Sequence, residues 1–170
     1  MKIYIPLLAV FLSYHPSSFY LKGKVVSIQD ADTITIKEQS GLNRVIRLVY
    51  IDAPELSQGS IAAKGTYYLK KAIMNQEVRV HIVGKGYYGR YLGEVFSGGT
   101  SVNMDLIIKG LAFIYPWSHF SSYEKKLEYL SLRDKAKRDK VGVWGIKISK
   151  PWAYRRKKRK KLARLTNNKF

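Results

Sequence analysis

Arg47-Leu48-Val49-Tyr50-Ile51-Asp52-Ala53-Pro54-Glu55 is the stretch on which the reading of the chain turns. Its first half is apolar and partly β-branched, the composition of a strand. Its second half is a Pro-braked turn that carries two carboxylates, Asp52 and Glu55. Side chains alternate between the faces of an ideal strand, so Arg47 and Asp52, an odd number of residues apart, point to opposite sides. Only a bend after Ile51 brings both to one cleft.

Upstream, Lys24-Val25-Val26-Ser27-Ile28 reads as a strand, Asp30-Ala31-Asp32-Thr33 as a turn, and Ile34-Thr35-Ile36-Lys37 as the next strand. Ser40-Gly41-Leu42-Asn43 makes a second turn, and Val45 to Ile51 is a third strand. Three strands joined by short turns predict an antiparallel meander, hence a small sheet or barrel. Taken alone, both acidic segments are ordinary turn chemistry.

Downstream, Ser60 to Gln76 has a helical stripe of Ile61, Leu69, Ala72 and Ile73. Val78 to Val83 alternates as a strand, with His81 on its exposed side. The Gly-rich turn through Tyr87, Tyr88 and Gly89 lacks the pattern of a mononucleotide loop. It leads into the strand Arg90 to Phe96, and Gly98-Gly99 makes a hairpin turn. Ser101 or Asn103 caps a short helix, Met104 to Lys109, that Gly110 ends. Ser121 and Glu124 have capping-box spacing, and the helix they start runs to about Lys140 with Tyr123, Leu127 and Leu130 as its buried stripe.

The length of 170 residues and an apolar fraction of 46% suit one domain with a proper core. The formal charge of +19 favours a polyanionic partner such as nucleic acid or an anionic membrane. The absence of cysteine excludes disulfides and thiolate metal sites, and three scattered histidines argue against zinc. A metal here would be a hard cation held by oxygen. Residues 1–18, a lysine followed by a short apolar run and a small polar region, read as a signal peptide, or as an anchor if left uncleaved. That places the chain as secreted or periplasmic. After Lys150 the composition changes, and the run Arg155 to Lys161 repels itself enough to predict a disordered tail over 155–170. Such a tail either grips phosphates without sequence preference or only solubilises the chain; the grip is favoured because it matches a polyanionic partner. The domain proper is then 19–154.

Asp30-Ala-Asp-Thr33, Arg47-Leu-Val-Tyr-Ile-Asp-Ala-Pro-Glu55 and Tyr88-Gly-Arg90, in this order, resemble the motif set of the staphylococcal nuclease family. Val102-Asn103, Lys109-Gly110-Leu111-Ala112 and Val143-Trp144 continue the resemblance, which covers roughly Lys24 to Tyr154. It implies a five-stranded OB-type barrel with three α-helices packed on it. It implies a Ca²⁺-dependent endonuclease on DNA and RNA, preferring single-stranded or unpaired regions and leaving 3′-phosphate ends. Asp32, Asp52 and the carbonyl of Ala53 fall on the metal-ligand positions. Glu55 falls on the general base, Arg47 and Arg90 on the phosphate-clamping arginines, and Tyr87 and Tyr88 on substrate contacts. Tyr87 departs from the lysine usual there, and Ala31 from a glycine. Tyr115 or Trp117 would stack on a base. A monomer without protein partners is expected. The rival reading is an OB barrel that binds nucleic acid without cutting it; members of that kind usually lack one of the charged positions, and none is missing here.

Overall fold

The computed structural model describes residues 19–86 and 89–167. The expected signal segment, Tyr87, Tyr88 and the last three residues of the tail lie outside it.

The meander forms as expected. Strand β1 (Phe19–Asp30) pairs antiparallel with β2 (Thr33–Glu38), and β2 with β3 (Asn43–Leu48). On its other edge the first half of β1 pairs with β5 (Glu77–Lys85), which pairs with β6 (Tyr91–Ser97). Register shifts at Val25/Ser27 and Ile28/Asp30 bend β1, so one strand serves two partners. A parallel pairing of β3 with β6, Ile46 to Tyr91 and Arg47 to Leu92, closes the five strands into a barrel. Three two-residue strands complete the set: β4 (Ile51–Asp52), β7 (Thr100–Ser101) and β8 (Phe113–Ile114).

Alternation fills the barrel. Val25, Ile34, Ile36, Ile46, Val80 and Val95 have no exposed surface, and each contributes about 1.5–3 kcal/mol by burial. Gly93 marks how full the interior is, since a Cβ there would lie 2.4 Å from Val80 Cγ1. His81 sits on the outer face, half-buried against Tyr20 at a ring separation of 4.9 Å.

The helices are α1 (Ser60–Ile73), α2 (Val102–Ile108), α3 (Tyr123–Arg138) and α4 (Pro151–Asn167). The first three are the helices expected. In α1, Ile61, Leu69 and Ile73 are buried, but Ala72 faces solvent, and Ala62 and Gly65 complete the packed face. Gly65 lets α1 lie directly on the β1–β2 turn, because a Cβ there would come 2.9 Å from that of Ala31. Ser101 caps α2, accepting from the Met104 amide at 3.3 Å. Asn103 is instead a buried cross-link. Its Oδ1 accepts from Val95 N–H at 3.0 Å, and its Nδ2 donates to the Val49 carbonyl at 2.9 Å.

The stripe expected on α3 is corrected. Tyr123 and Leu127 are exposed, Leu130 is half-buried, and Tyr129 and Ala136 are the buried residues. The cap is Ser122, one residue later than expected, accepting from the Lys125 amide at 3.1 Å. The helix touches the barrel along a narrow seam. Tyr129 packs edge-on to Tyr50 and donates to buried Glu94 at 2.9 Å, which also accepts from Ser101 Oγ at 2.7 Å. Burial and that carboxylate push the Tyr129 hydroxyl up, which keeps it a donor.

The fourth helix was not expected: it takes up most of the stretch read as a disordered tail. Pro151 stands at its start, where a missing N–H is no loss, and Ala, Lys, Arg and Leu that follow are good helix formers. Aromatic packing anchors its first turn, with Trp152 within 6.1 Å of Phe113 and Trp117 and 6.3 Å of Tyr115, ring centre to ring centre. Repulsion within the basic run does not melt it, because the helix is held at its base. Among the described residues, no helix is long and apolar enough to cross a membrane.

Candidate functional site

The bend that the odd spacing demands is present, but it falls before Ile51 and not after it. β3 ends at Leu48, and Tyr50 takes a left-handed conformation with φ 70° before β4 resumes at Ile51. For a bulky L-residue this costs about 1–2 kcal/mol. The Tyr50 ring offsets that cost by packing: it is stacked on Phe120 at 4.4 Å, and its carbonyl accepts from the Tyr115 amide at 2.9 Å. The reversal turns Asp52 back to the side of Arg47.

Arg47 then bridges two carboxylates. One guanidinium nitrogen lies 2.5 Å from Asp32 Oδ1, and the other donates to Asp52 Oδ1 at 2.7 Å. Asp32 arrives from the β1–β2 turn, where Asp30 Oδ1 accepts from the Asp32 amide at 3.1 Å. That local bond is the turn chemistry read in the sequence. Asp32 Oδ2 accepts from the Ala53 amide at 2.7 Å, and Leu48 N–H donates to the Asp32 carbonyl at 2.8 Å. The turn is thereby fixed to both ends of the bent strand.

Asp32 and Asp52 are almost wholly buried. Burial pushes the Asp32 carboxyl well above its ordinary range; Arg47 pulls it down, while the charge of Asp30 pushes it further up. A carboxylate so placed gains from more positive charge than one guanidinium supplies. Glu55 is more exposed and heads a short 3₁₀ turn (Leu56–Gln58), its amide donating to Gln58 Oε1 at 3.0 Å. Arg90 stands one residue ahead of β6, the strand that closes against β3.

A second arginine enters the site from α4. Arg155 Nη1 donates to Asp52 Oδ1 at 3.0 Å and to Glu55 Oε1 at 2.7 Å, and Nη2 donates to Asp52 Oδ2 at 2.7 Å. Burial would lower the Arg155 pKa, but its bonds to Asp52 and Glu55 outweigh that and raise it. Tyr154 adds a tether, its hydroxyl bonded to Ser57 Oγ at 3.0 Å. Sequence reasoning missed Arg155, because it lies inside a run judged by charge alone. The signal that could have found it is Pro151-Trp152, a helix start followed by an aromatic anchor.

The donor set suits a hard divalent cation: two buried carboxylates within reach of one guanidinium and a third on Glu55, with the Ala53 main chain tied to Asp32 through its amide. In the arrangement described, these oxygens are engaged by arginines and backbone. With those oxygens so paired, no group of three or more acidic, cysteine or histidine side chains among the described residues stands at ligand spacing, so the fit is one of donor type.

Tyr115 and Trp117 follow β8, which pairs with β4, so that Phe113 lies opposite Asp52. They form an aromatic face beside the site, with Trp117 exposed and Tyr115 half-buried. Both rings lie against Trp152 of α4, the helix that also carries Arg155.

A closed five-stranded barrel, with a carboxylate–arginine cluster where its strands and the β1–β2 turn meet, defines an OB-type domain with a charged site. The profile of the staphylococcal nuclease homologues matches residues 45–145. An uncharacterized endonuclease of Escherichia coli O157:H7 is 31% identical over 160 residues, 93% of this chain and all of that protein. An uncharacterized endonuclease of Haemophilus influenzae is 30% identical over 71% of this chain and 65% of its own. The staphylococcal-like nuclease CAN1 of Arabidopsis thaliana is 28% identical over 80% of this chain and 39% of its own. The chain belongs to the staphylococcal nuclease homologue family.

Proposed function

We propose that this nuclease is Ca²⁺-dependent and cuts DNA and RNA with little sequence preference, leaving 3′-phosphate ends. As a member of its family the chain is a phosphodiester hydrolase. The observation that carries the finer reading is Arg47 bridging Asp32 and Asp52, with Glu55 joined to Asp52 through Arg155.

Asp32, Asp52 and the Ala53 carbonyl are the residues that would hold the cation. When bound, a hard divalent ion supplies positive charge to the phosphoryl oxygens and orients water. Glu55, the most accessible of the three carboxylates, takes the proton of the attacking water. Arg47 and Arg90 hold the phosphate through the planar, permanently charged fork that suits its oxygens. Tyr87 and Tyr88, which precede Arg90 in the sequence, contact the substrate, and the aromatic face around Trp117 receives unpaired bases. The signal-like residues 1–18 support a secreted or periplasmic location.

Plasmid DNA and RNA are digested with Ca²⁺ and with a chelator, wild type beside Glu55→Gln. We expect cutting that needs Ca²⁺ and falls by roughly 10²–10⁴ in the variant while DNA binding persists. Products should resist polymerase extension until treated with phosphatase. A wild type that binds DNA but leaves it intact with Ca²⁺, Mg²⁺ or Mn²⁺ would make the chain a binding protein instead.

A further inference from the structure

Helix α4 makes a contact that nothing in the proposed chemistry requires. Arg155 spans both oxygens of Asp52 and one of Glu55, and these are oxygens that a cation and an attacking water would need. Of the two arginines on the cluster, Arg47 belongs to the barrel wall, being on β3 between β2 and β6. Arg155 sits on α4, outside the barrel, and is the more exposed, at 36% of its side chain against 24% for Arg47. It is the one that can leave.

The approach to it is open and basic. A cleft of about 230 Å³ lies between Glu55 and α4, lined by Ser57, Tyr154, Lys158, Arg159 and Leu162. The rest of the helix carries further lysines and arginines and no acidic residue to hold them back. A polyanion that engages Lys158 and Arg159 would pull on the same turn that carries Arg155.

Resting on the metal-dependent reading above, we propose that Arg155 is a built-in counter-cation that latches the site shut. It competes with the divalent cation for Asp52 and Glu55, and α4 must withdraw its guanidinium before the site loads. Arg47 and Arg155 supply positive charge to three carboxylates, two of them almost wholly buried. The latch also makes cation affinity depend on a residue more than 100 positions away from Asp52 in the sequence.

The test reads cation binding, not turnover. Tb³⁺ luminescence sensitised by the nearby aromatics, and its displacement by Ca²⁺, are measured on the full chain for wild type, Arg155→Gln, Arg155→Ala and Arg156→Gln. Arg156 is exposed on the same helix and serves as the charge control. A latch closed in about nine molecules of ten raises the apparent Kd about tenfold, so both Arg155 variants should bind roughly tenfold tighter and Arg156→Gln should match wild type. Far-UV circular dichroism checks that α4 persists in the glutamine variant. Arg155 variants that bind no tighter than a wild type which does bind overturn the latch and leave the metal site standing. An equal gain in Arg156→Gln reduces the effect to net charge and also overturns it. Binding in none of the four proteins removes the latch and the metal assignment together.

Discussion

Replacing Arg47 by lysine tests whether one guanidinium holds the two buried aspartates together. Arg47 reaches Asp32 at 2.5 Å and Asp52 at 2.7 Å through different nitrogens. An ammonium is a point charge and can serve only one of them at full strength. The other carboxylate, almost wholly buried, then loses a charge-assisted bond worth about 1.5–3 kcal/mol. Arg47 is partly exposed, so solvent softens the loss, and we take about 2 kcal/mol. For a chain of this size that lowers Tm by about 4–8 °C. The assay is thermal unfolding followed at 222 nm in chelator, so that no added cation stands in for the missing charge. Activity with Ca²⁺ should fall by about 10²–10³, the loss typical of one preorganised donor. A variant melting within about one degree of wild type in chelator would refute the claim that Arg47 carries the charge balance of this pair.

Asn103→Ala leaves the Val95 amide and the Val49 carbonyl without their partner, and should destabilise by roughly 2–5 kcal/mol, read as a lower urea midpoint. Gly142→Ala places a Cβ 2.1 Å from the Gly110 carbonyl at φ 57°, so a loss of more than about 2 kcal/mol is expected in the same titration; an unchanged midpoint would show that this junction yields. Replacing Lys157, Lys158 and Lys160 by glutamine should flatten the salt dependence of single-strand binding by about 0.7 in log–log slope per phosphate contact removed, and an unchanged slope would mean that α4 does not touch substrate.

Most of the barrel was legible because its strands are half-buried and alternate cleanly, as Val78, Val80 and Ile82 do on β5. The carboxylates and Arg47 were legible as a constellation, but not the geometry that joins them. No local rule predicts a tyrosine at φ 70°; that conformation is held by Phe120 and Tyr115, which lie far along the chain. The stripe on α3 was misread because the helix meets the barrel only along a narrow seam. Periodicity cannot tell a seam from a solvated face when Tyr123 and Leu127 are apolar but exposed. Helix α4 was lost to a composition argument: charge repulsion speaks for disorder, and an anchor such as Trp152 speaks against it only once its aromatic partners are in place.

The left-handed turn at Tyr50 also ties the site to parts of the chain far from it in sequence. In an unfolded chain Tyr50 relaxes to the extended region, and Arg47 and Asp52 return to opposite sides of the backbone. In the folded protein Phe120 and Tyr129 close on the ring, Tyr129 coming from α3, and the Tyr115 amide bonds the Tyr50 carbonyl. The charged cluster therefore draws on residues well beyond the barrel strands, and a change that loosens α3 should reach the site without touching any of its charged groups.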